Sequence, residues 1–310
     1  MSIEIVFQQM LVIFIMILIG YYLYKASKLD EHSSKHISAI VSNVCNPAVI
    51  INAALTNTIQ IGIKEFISGI SVSVALYIAL ILISFVIPKI LRVEKGTEFA
   101  YKMMIIYANT GFIGIPLVAA VLPDALFYVT LNNITYNIFF YTHGMFVVEK
   151  VAAQKKTGEK QSFLKSFINV GTVSSLISLF LYIFPVDMPT VLDETFHYVG
   201  RATTFLSMLV VGVSLGKMGI KNLFIGKKII YVFTFIRLLV IPIVLIFVMK
   251  LFFYDELLIG GNAFMLAVPA GSMPLIIAQQ NDMDTEILSR GIILSTIFSI
   301  ITIPIVTLFV

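Results

Sequence analysis

The chain has 310 residues, 59% hydrophobic and 12% charged, with a mean hydropathy of +0.99. A soluble domain carries roughly 25% charged residues, so about half that charge over this length marks a polytopic membrane protein. The net charge of +4 is small and its lysines fall between apolar runs rather than on one face, which excludes a nucleic-acid-binding surface.

Residues 1–9 contain Glu4 and no Lys or Arg, so the cationic start of a cleavable signal is missing and the first apolar run is expected to stay as a helix. Runs long enough to span a bilayer, roughly 20 residues, fall at about 4–24, 37–55, 65–87, 99–121, 125–149, 166–184, 195–216, 229–253, 257–280 and 286–309. These predict ten spans. Cys45, in span 2, is the one cysteine; it excludes an intrachain disulfide and a cysteine metal cluster, and reads as a small buried hydrophobe. Span 2 also carries Asn43, Asn46 and Asn52, with Pro47 opening the backbone beside Asn46. That pattern fits a substrate wall or a structural kink.

Span 4 contains the most informative stretch, Ala108-Asn109-Thr110-Gly111-Phe112-Ile113-Gly114-Ile115-Pro116. Gly111, Gly114, Pro116 and the Asn-Thr pair are poor helix-interior residues. A broken backbone in hydrocarbon survives only where protein or a watery cavity surrounds it. Span 9 holds a second break, Ala267-Val268-Pro269-Ala270-Gly271-Ser272-Met273-Pro274. Two interrupted helices in corresponding halves point to the binding site of a secondary transporter.

Span 5 is polar for a membrane segment, and Asn133, Asn137 and Tyr141 form one stripe at a spacing of four. The stripe either faces a cavity or bonds neighbouring helices. His143 follows it, as a proton site or a satisfied core histidine. The connection Lys150–Lys165 is the longest; it divides 1–149 from 166–310, five spans on each side. Most of the 21 Lys and Arg residues lie in the connections after spans 1, 3, 5 and 7. The alternate connections carry Asp124, Asp187, Asp193, Glu194, Asp255 and Glu256 against Lys64 and Lys250. The basic connections are therefore expected in the cytoplasm, with both termini outside the cell membrane. An odd number of spans per half inverts the second half relative to the first. Pro116-Leu117 and Pro274-Leu275, Ala120 and Ala278, and Asp124 and Asp282 share one offset, which either reflects an internal repeat or arises from unrelated kinks.

In the later spans Arg237 and Arg290 lie in apolar surroundings. Arg237, nine residues past Lys228, is about 13 Å deeper along a helix. The two arginines either lend an inner vestibule a positive potential or pair with Glu149 or Asp282.

The motif Asn109–Leu117 resembles the fourth-span signature of the auxin efflux carrier family, and Val268–Pro274 resembles its ninth-span one. Asn46-Pro47, Arg237–Pro242 and Ser295-Thr296 also fit, so the resemblance covers essentially the whole chain. It implies an all-α fold of ten helices in two inverted five-helix repeats with helices 4 and 9 broken and crossed, as in bile-acid symporter and sodium–proton antiporter folds. It further implies a scaffold of spans 1, 2, 6 and 7, a moving domain of spans 3–5 and 8–10, a homodimer, and export or exchange of small organic anions, auxin-like carboxylates or malate- and malonate-type dicarboxylates. By resemblance, Asn137 and Tyr141 match polar span-5 positions that face substrate. The long cytoplasmic loop of many plant members is absent.

The physics of two breaks agrees with an anion. Each break exposes a half-helix N-terminus, roughly half a positive charge with free N–H groups. Asn109, Thr110 and Ser272 add side-chain donors there, or else cap the broken backbone; Asn46, Asn137, Tyr141 and Pro269 complete the candidate substrate site. No Asp or Glu lies in mid-span, so proton exchange on a buried carboxylate is not expected; sodium coupling through Ser295, Thr296 and Ser299 stays open. The chain is not expected to be an enzyme or to hold a metal or cofactor. The alternatives to an elevator-type carrier are a sodium- or proton-coupled symporter and an anion channel.

Overall fold

The computed structural model describes residues 3–55, 63–156, 169–184, 186–219, 223 and 228–310. In an apolar medium the backbone must pair its own polar groups, and a helix does so within one segment. Among the described residues the chain is accordingly helical, with one isolated bridge and no strand.

The helices are α1 (Ile3–Lys25), α2 (Glu31–Ile40), α3 (Asn46–Leu55), α4 (Ile63–Ile90), α5 (Glu98–Ile106), α6 (Ile115–Val121), α7 (Leu126–Phe139) and α8 (Met145–Lys156). The second half adds α9 (Val170–Ile183), α10 (Thr190–Met218), α11 (Lys228–Phe235), α12 (Ile241–Phe252), α13 (Glu256–Ala267), α14 (Met273–Gln280) and α15 (Glu286–Thr307). Four helical runs, Ile63–Ile90, Thr190–Met218, Lys228–Phe252 and Glu286–Thr307, are by length and composition able to cross a membrane unaided. The others follow the remaining apolar runs, some shortened by breaks. Span 2 begins earlier than hydropathy indicates, at Glu31, because Asp30 caps a polar first turn: its carboxylate accepts from the Ser33 N–H at 2.7 Å. At the other boundary α8 continues to Lys156; the rest of the expected linker, 157–165, lies outside the described residues.

π-helical turns join α2 to α3 (Val41–Cys45), lead into α6 (Thr110–Gly114), join α7 to α8 (Phe140–Gly144) and join α11 to α12 (Ile236–Val240). Three of them end two residues before a proline: Pro47, Pro116 and Pro242. A proline within a helix removes an N–H and crowds the carbonyl four residues back. Widening the preceding turn relieves that crowding without ending the helix.

Large apolar side chains on α4 (Ile78, Leu82), α9 (Val173, Phe180) and α12 (Phe247, Leu251) are exposed, as lipid-facing surfaces require. The chain is an integral membrane protein. Helix α1 packs along α10, where backbone touches backbone: a Cβ on Gly212 would overlap the Ile17 carbonyl. Helices α9 and α10 also pack on α3. A second group forms where α4 packs on α5 and α7, and α13 on α7, α12 and α15. The groups meet where α14 packs on α2, where α9 packs on α7 and where α1 and α10 pack on α15.

Candidate functional site

Both interrupted spans break in mid-course. In span 4 the helix ends at Ile106; Tyr107 and Asn109 leave helical geometry, and the chain returns through the π turn Thr110–Gly114 to α6. The sequence placed this break at 109–116. The structure moves it toward the N-terminus, because the wide turn before Pro116 lets Thr110–Gly114 stay coiled. In span 9, α13 ends at Ala267, Val268 is extended, and α14 starts at Met273 with Pro274 in its first turn, where its missing N–H costs nothing.

The breaks cross and pair. Asn109 N–H donates to the Pro269 carbonyl at 2.8 Å, and Gly271 N–H to the Tyr107 carbonyl at 2.9 Å, forming an antiparallel bridge between Ala108 and Ala270. The next donor, Ala270 N–H, bonds Ser295 Oγ on α15 at 3.1 Å. The bridge satisfies backbone groups that hydrocarbon would otherwise leave unpaired. It needs Gly271: a Cβ there would lie 2.8 Å from the Ala108 oxygen.

Arg237 holds the crossing from behind. It is 1% exposed, with Nε donating to the Met104 carbonyl at 2.9 Å and Nη1 to the Leu266 carbonyl at 2.8 Å. Those carbonyls lie in the last turns of α5 and α13, where helix dipoles converge with negative ends. One cation thus serves two helix C-termini. Arg237 was expected at a vestibule or paired with an acid; the structure places it on neither. Spacing along a helix gave its depth, while its partners come from two other spans.

The start of the π turn Thr110–Gly114 and the start of α14 border a void of about 20 Å³, room for one water. Asn46, Asn109, Thr110, Asn133, Asn137 and Ser272 line it, against Phe112 and Tyr136. Neither Asn109 nor Ser272 caps its own helix by a side-chain hydrogen bond. Ser272 Oγ is buried and has no partner among the described residues. Thr110 Oγ1 donates to Asn133 Oδ1 at 3.2 Å, and Asn137 Nδ2 to the Asn133 carbonyl at 2.7 Å. Gly111 borders the void, while Gly114 packs against Met265: a Cβ there would lie 2.7 Å from its Sδ.

Two candidate site residues stand just outside. Tyr141 accepts from Asn46 Nδ2 at 2.9 Å and donates to the Ser42 carbonyl at 3.3 Å, so it orients a lining residue. Pro269 contributes its carbonyl to the bridge. Asn133, a member of the span-5 stripe, and Tyr136, which the sequence showed only as part of a polar span, are further lining residues. His143 is tied up: its Nδ1 shares a hydrogen bond of 2.8 Å with Tyr107 Oη, which also lies 3.0 Å from the Phe139 carbonyl. The hydroxyls of Ser295, Thr296 and Ser299 donate to carbonyls of their own helix at 3.0, 2.8 and 2.7 Å.

A separate, larger cavity of about 970 Å³ opens at the end of the molecule that bears Glu31, Lys217 and Asp282. Arg290 lines it, but the cations there are paired: Arg290 with Glu286 at 2.9 Å, Lys35 with Asp282 at 2.7 Å and Lys217 with Glu31 at 2.8 Å. The cavity is therefore of mixed charge rather than strongly positive.

Apolar helices, a paired crossing of broken spans and a buried polar void define a membrane transport protein. Residues 5–307 match the family model described as "Membrane transport protein", so the chain belongs to that family, the auxin efflux carrier family that its two motifs resemble. It is similar to an uncharacterized transporter of Methanocaldococcus jannaschii, 21% identical over 94% of this chain and 95% of that protein. It is also similar to an uncharacterized transporter of Methanothermobacter thermautotrophicus, 20% identical over 96% of each.

Proposed function

We propose that the protein is a secondary carrier of small organic anions that holds a carboxylate at the crossing of spans 4 and 9. One observation carries this reading. Asn109 and Ser272 stand at the starts of the two helical segments beyond the breaks, leave those segments uncapped, and face one buried void where Ser272 Oγ has no partner among the described residues. The first turns of two helices offer N–H groups and positive dipole ends. Asn109 and Ser272 add side-chain donors, so a carboxylate is held without a fixed cation. A carboxylate exceeds the present void, so binding requires the surroundings to open.

The grouping of contacts supports the division implied by resemblance. Spans 1, 2, 6 and 7 form the scaffold and dimer face, and spans 3–5 and 8–10 move as one body in an elevator cycle. The ten spans form two inverted repeats, 1–149 and 166–310, with both termini outside and the larger cavity facing the cytoplasm. The test is anion binding and liposome uptake over a panel of mono- and dicarboxylates. Asn109→Ala removes one charge-assisted hydrogen bond, worth roughly 1.5–3 kcal/mol, so affinity falls about ten- to a hundredfold. If Asn109→Ala binds normally but melts at a lower temperature, Asn109 is a structural cap and the carboxylate sits elsewhere.

A further inference from the structure

Ser34, Ser38, Ser42 and Asn46 follow one another at a spacing of four and so share a face of span 2. The first lines the large cavity and the last lines the void at the crossing. Between them the face is covered by the C-terminal end of α14. Gln279 Oε1 accepts from Ser34 Oγ at 3.1 Å and Ser38 Oγ at 3.0 Å, while its Nε2 donates to Ser214 Oγ on α10 at 2.9 Å. Gln280 Nε2 donates to the Ser38 carbonyl at 2.7 Å and also to Ser42 Oγ. Tyr141 closes the last step by bonding Asn46.

The geometry points to a cytoplasmic access path along this polar face, with Gln279 and Gln280 as its barrier. The inference rests on the void being the substrate site and on the proposed orientation. The glutamines belong to the moving group and the serines to the scaffold, so relative movement of the two groups breaks this set of hydrogen bonds together. Once the amides leave, three hydroxyls and the Asn46 amide form a row of neutral donors from cavity to site. Such a row passes a carboxylate from donor to donor without trapping it, as a buried cation would. Lys35–Asp282 and Lys217–Glu31 lie at the cavity wall, at least partly exposed, and set no comparable barrier.

The test uses the full-length protein in inside-out vesicles, in a Cys45→Ser background. A small hydrophilic methanethiosulfonate reagent labels Thr110→Cys in the void, with and without the pair Gln279→Ala and Gln280→Ala. Ala125→Cys, fully buried in the turn after α6, serves as the control for general loosening. Removing the amides accelerates labelling at Thr110→Cys by about tenfold, the factor that one or two net hydrogen bonds set in an opening equilibrium, and leaves Ala125→Cys unchanged. An unchanged rate at Thr110→Cys overturns the assignment, and so does equal acceleration at both positions. Labelling needs no substrate, so failure of anions to bind would sink the proposed function without altering this readout.

Discussion

Gly271→Ala sets the cost of the crossing against the cost of filling the site. The added Cβ would lie 2.8 Å from the Ala108 oxygen and 3.0 Å from the Tyr107 oxygen, against an ordinary contact that begins near 3.4 Å. Clearing both oxygens separates the paired breaks by about half an ångström, which stretches the bridge bonds from 2.8 and 2.9 Å to just past the favourable range. Overpacking costs about 1–3 kcal/mol, and two weakened hydrogen bonds about 1 kcal/mol each. At about 2–4 °C per kcal/mol, a total of roughly 3–5 kcal/mol lowers the melting temperature by roughly 6–20 °C. The assay is built in: Cys45 is free and buried, so a thiol-reactive fluorogenic dye reports unfolding in detergent. Gly111→Ala is the matched comparison. Its Cβ would meet only Asn133 Oδ1, at 3.6 Å, so the fold keeps its melting temperature while a methyl group occupies a void of about 20 Å³ and anion binding is lost. Wild-type melting of Gly271→Ala, or an equal fall for Gly111→Ala, refutes the reasoning.

Arg237→Met leaves the Met104 and Leu266 carbonyls without their donor, at roughly 1–3 kcal/mol each less the relieved desolvation of the cation; the same dye assay should show a clear loss of stability, and unchanged melting would remove Arg237 from the account of the crossing. In the Cys45→Ser background, Lys156→Cys should resist an impermeant thiol reagent added to intact cells while Asp187→Cys reacts; the reverse pattern overturns the proposed orientation. The Ser33 backbone N–H and then its hydroxyl hold the Asp30 carboxyl below its ordinary range. A lowered folded value stabilises α2 above the unfolded pKa and loses that contribution as pH falls through the folded one. The protection factors of the first-turn amides of α2, corrected for the intrinsic pH dependence of exchange, should therefore fall in acid below the ordinary carboxylate range, and Asp30→Asn should remove that dependence.

Much of this architecture is legible in the sequence because hydrocarbon permits so few solutions. Apolar length marks the helices, and Gly111, Pro116, Gly271 and Pro274 mark the two places where they fail. Hydropathy misses the start of span 2, since residues 31–36 are polar and are helical because Asp30 caps them. The common offset of the two broken spans is confined to one side of the breaks. Beyond the breaks the helices begin 158 residues apart, at Ile115 and Met273, but before them the helices end 161 apart, at Ile106 and Ala267. The longer return through Thr110–Gly114 destroys the common offset. At the site, Asn109, Thr110 and Ser272 are placed by their neighbours in sequence. The partners of Arg237, and the meeting of Ser38 with Gln279, depend on contacts 29 to 241 residues distant, which spacing along one helix cannot reveal.

The π turn at Val41–Cys45 also carries information of another kind. It holds one residue more than the α-helical path it replaces, and each residue advances an α-helix by about 100°. Winding the same residues 41–45 as a regular α-helix, with none deleted, would rotate α3 by roughly that angle relative to α2. Ser34 and Ser38 would keep their heading, while Asn46 would swing away from the void and from Tyr141. Span 2 is thus a dial with two settings, and a change of winding in mid-membrane is enough to disconnect the approach from the site without disturbing a loop or a charge.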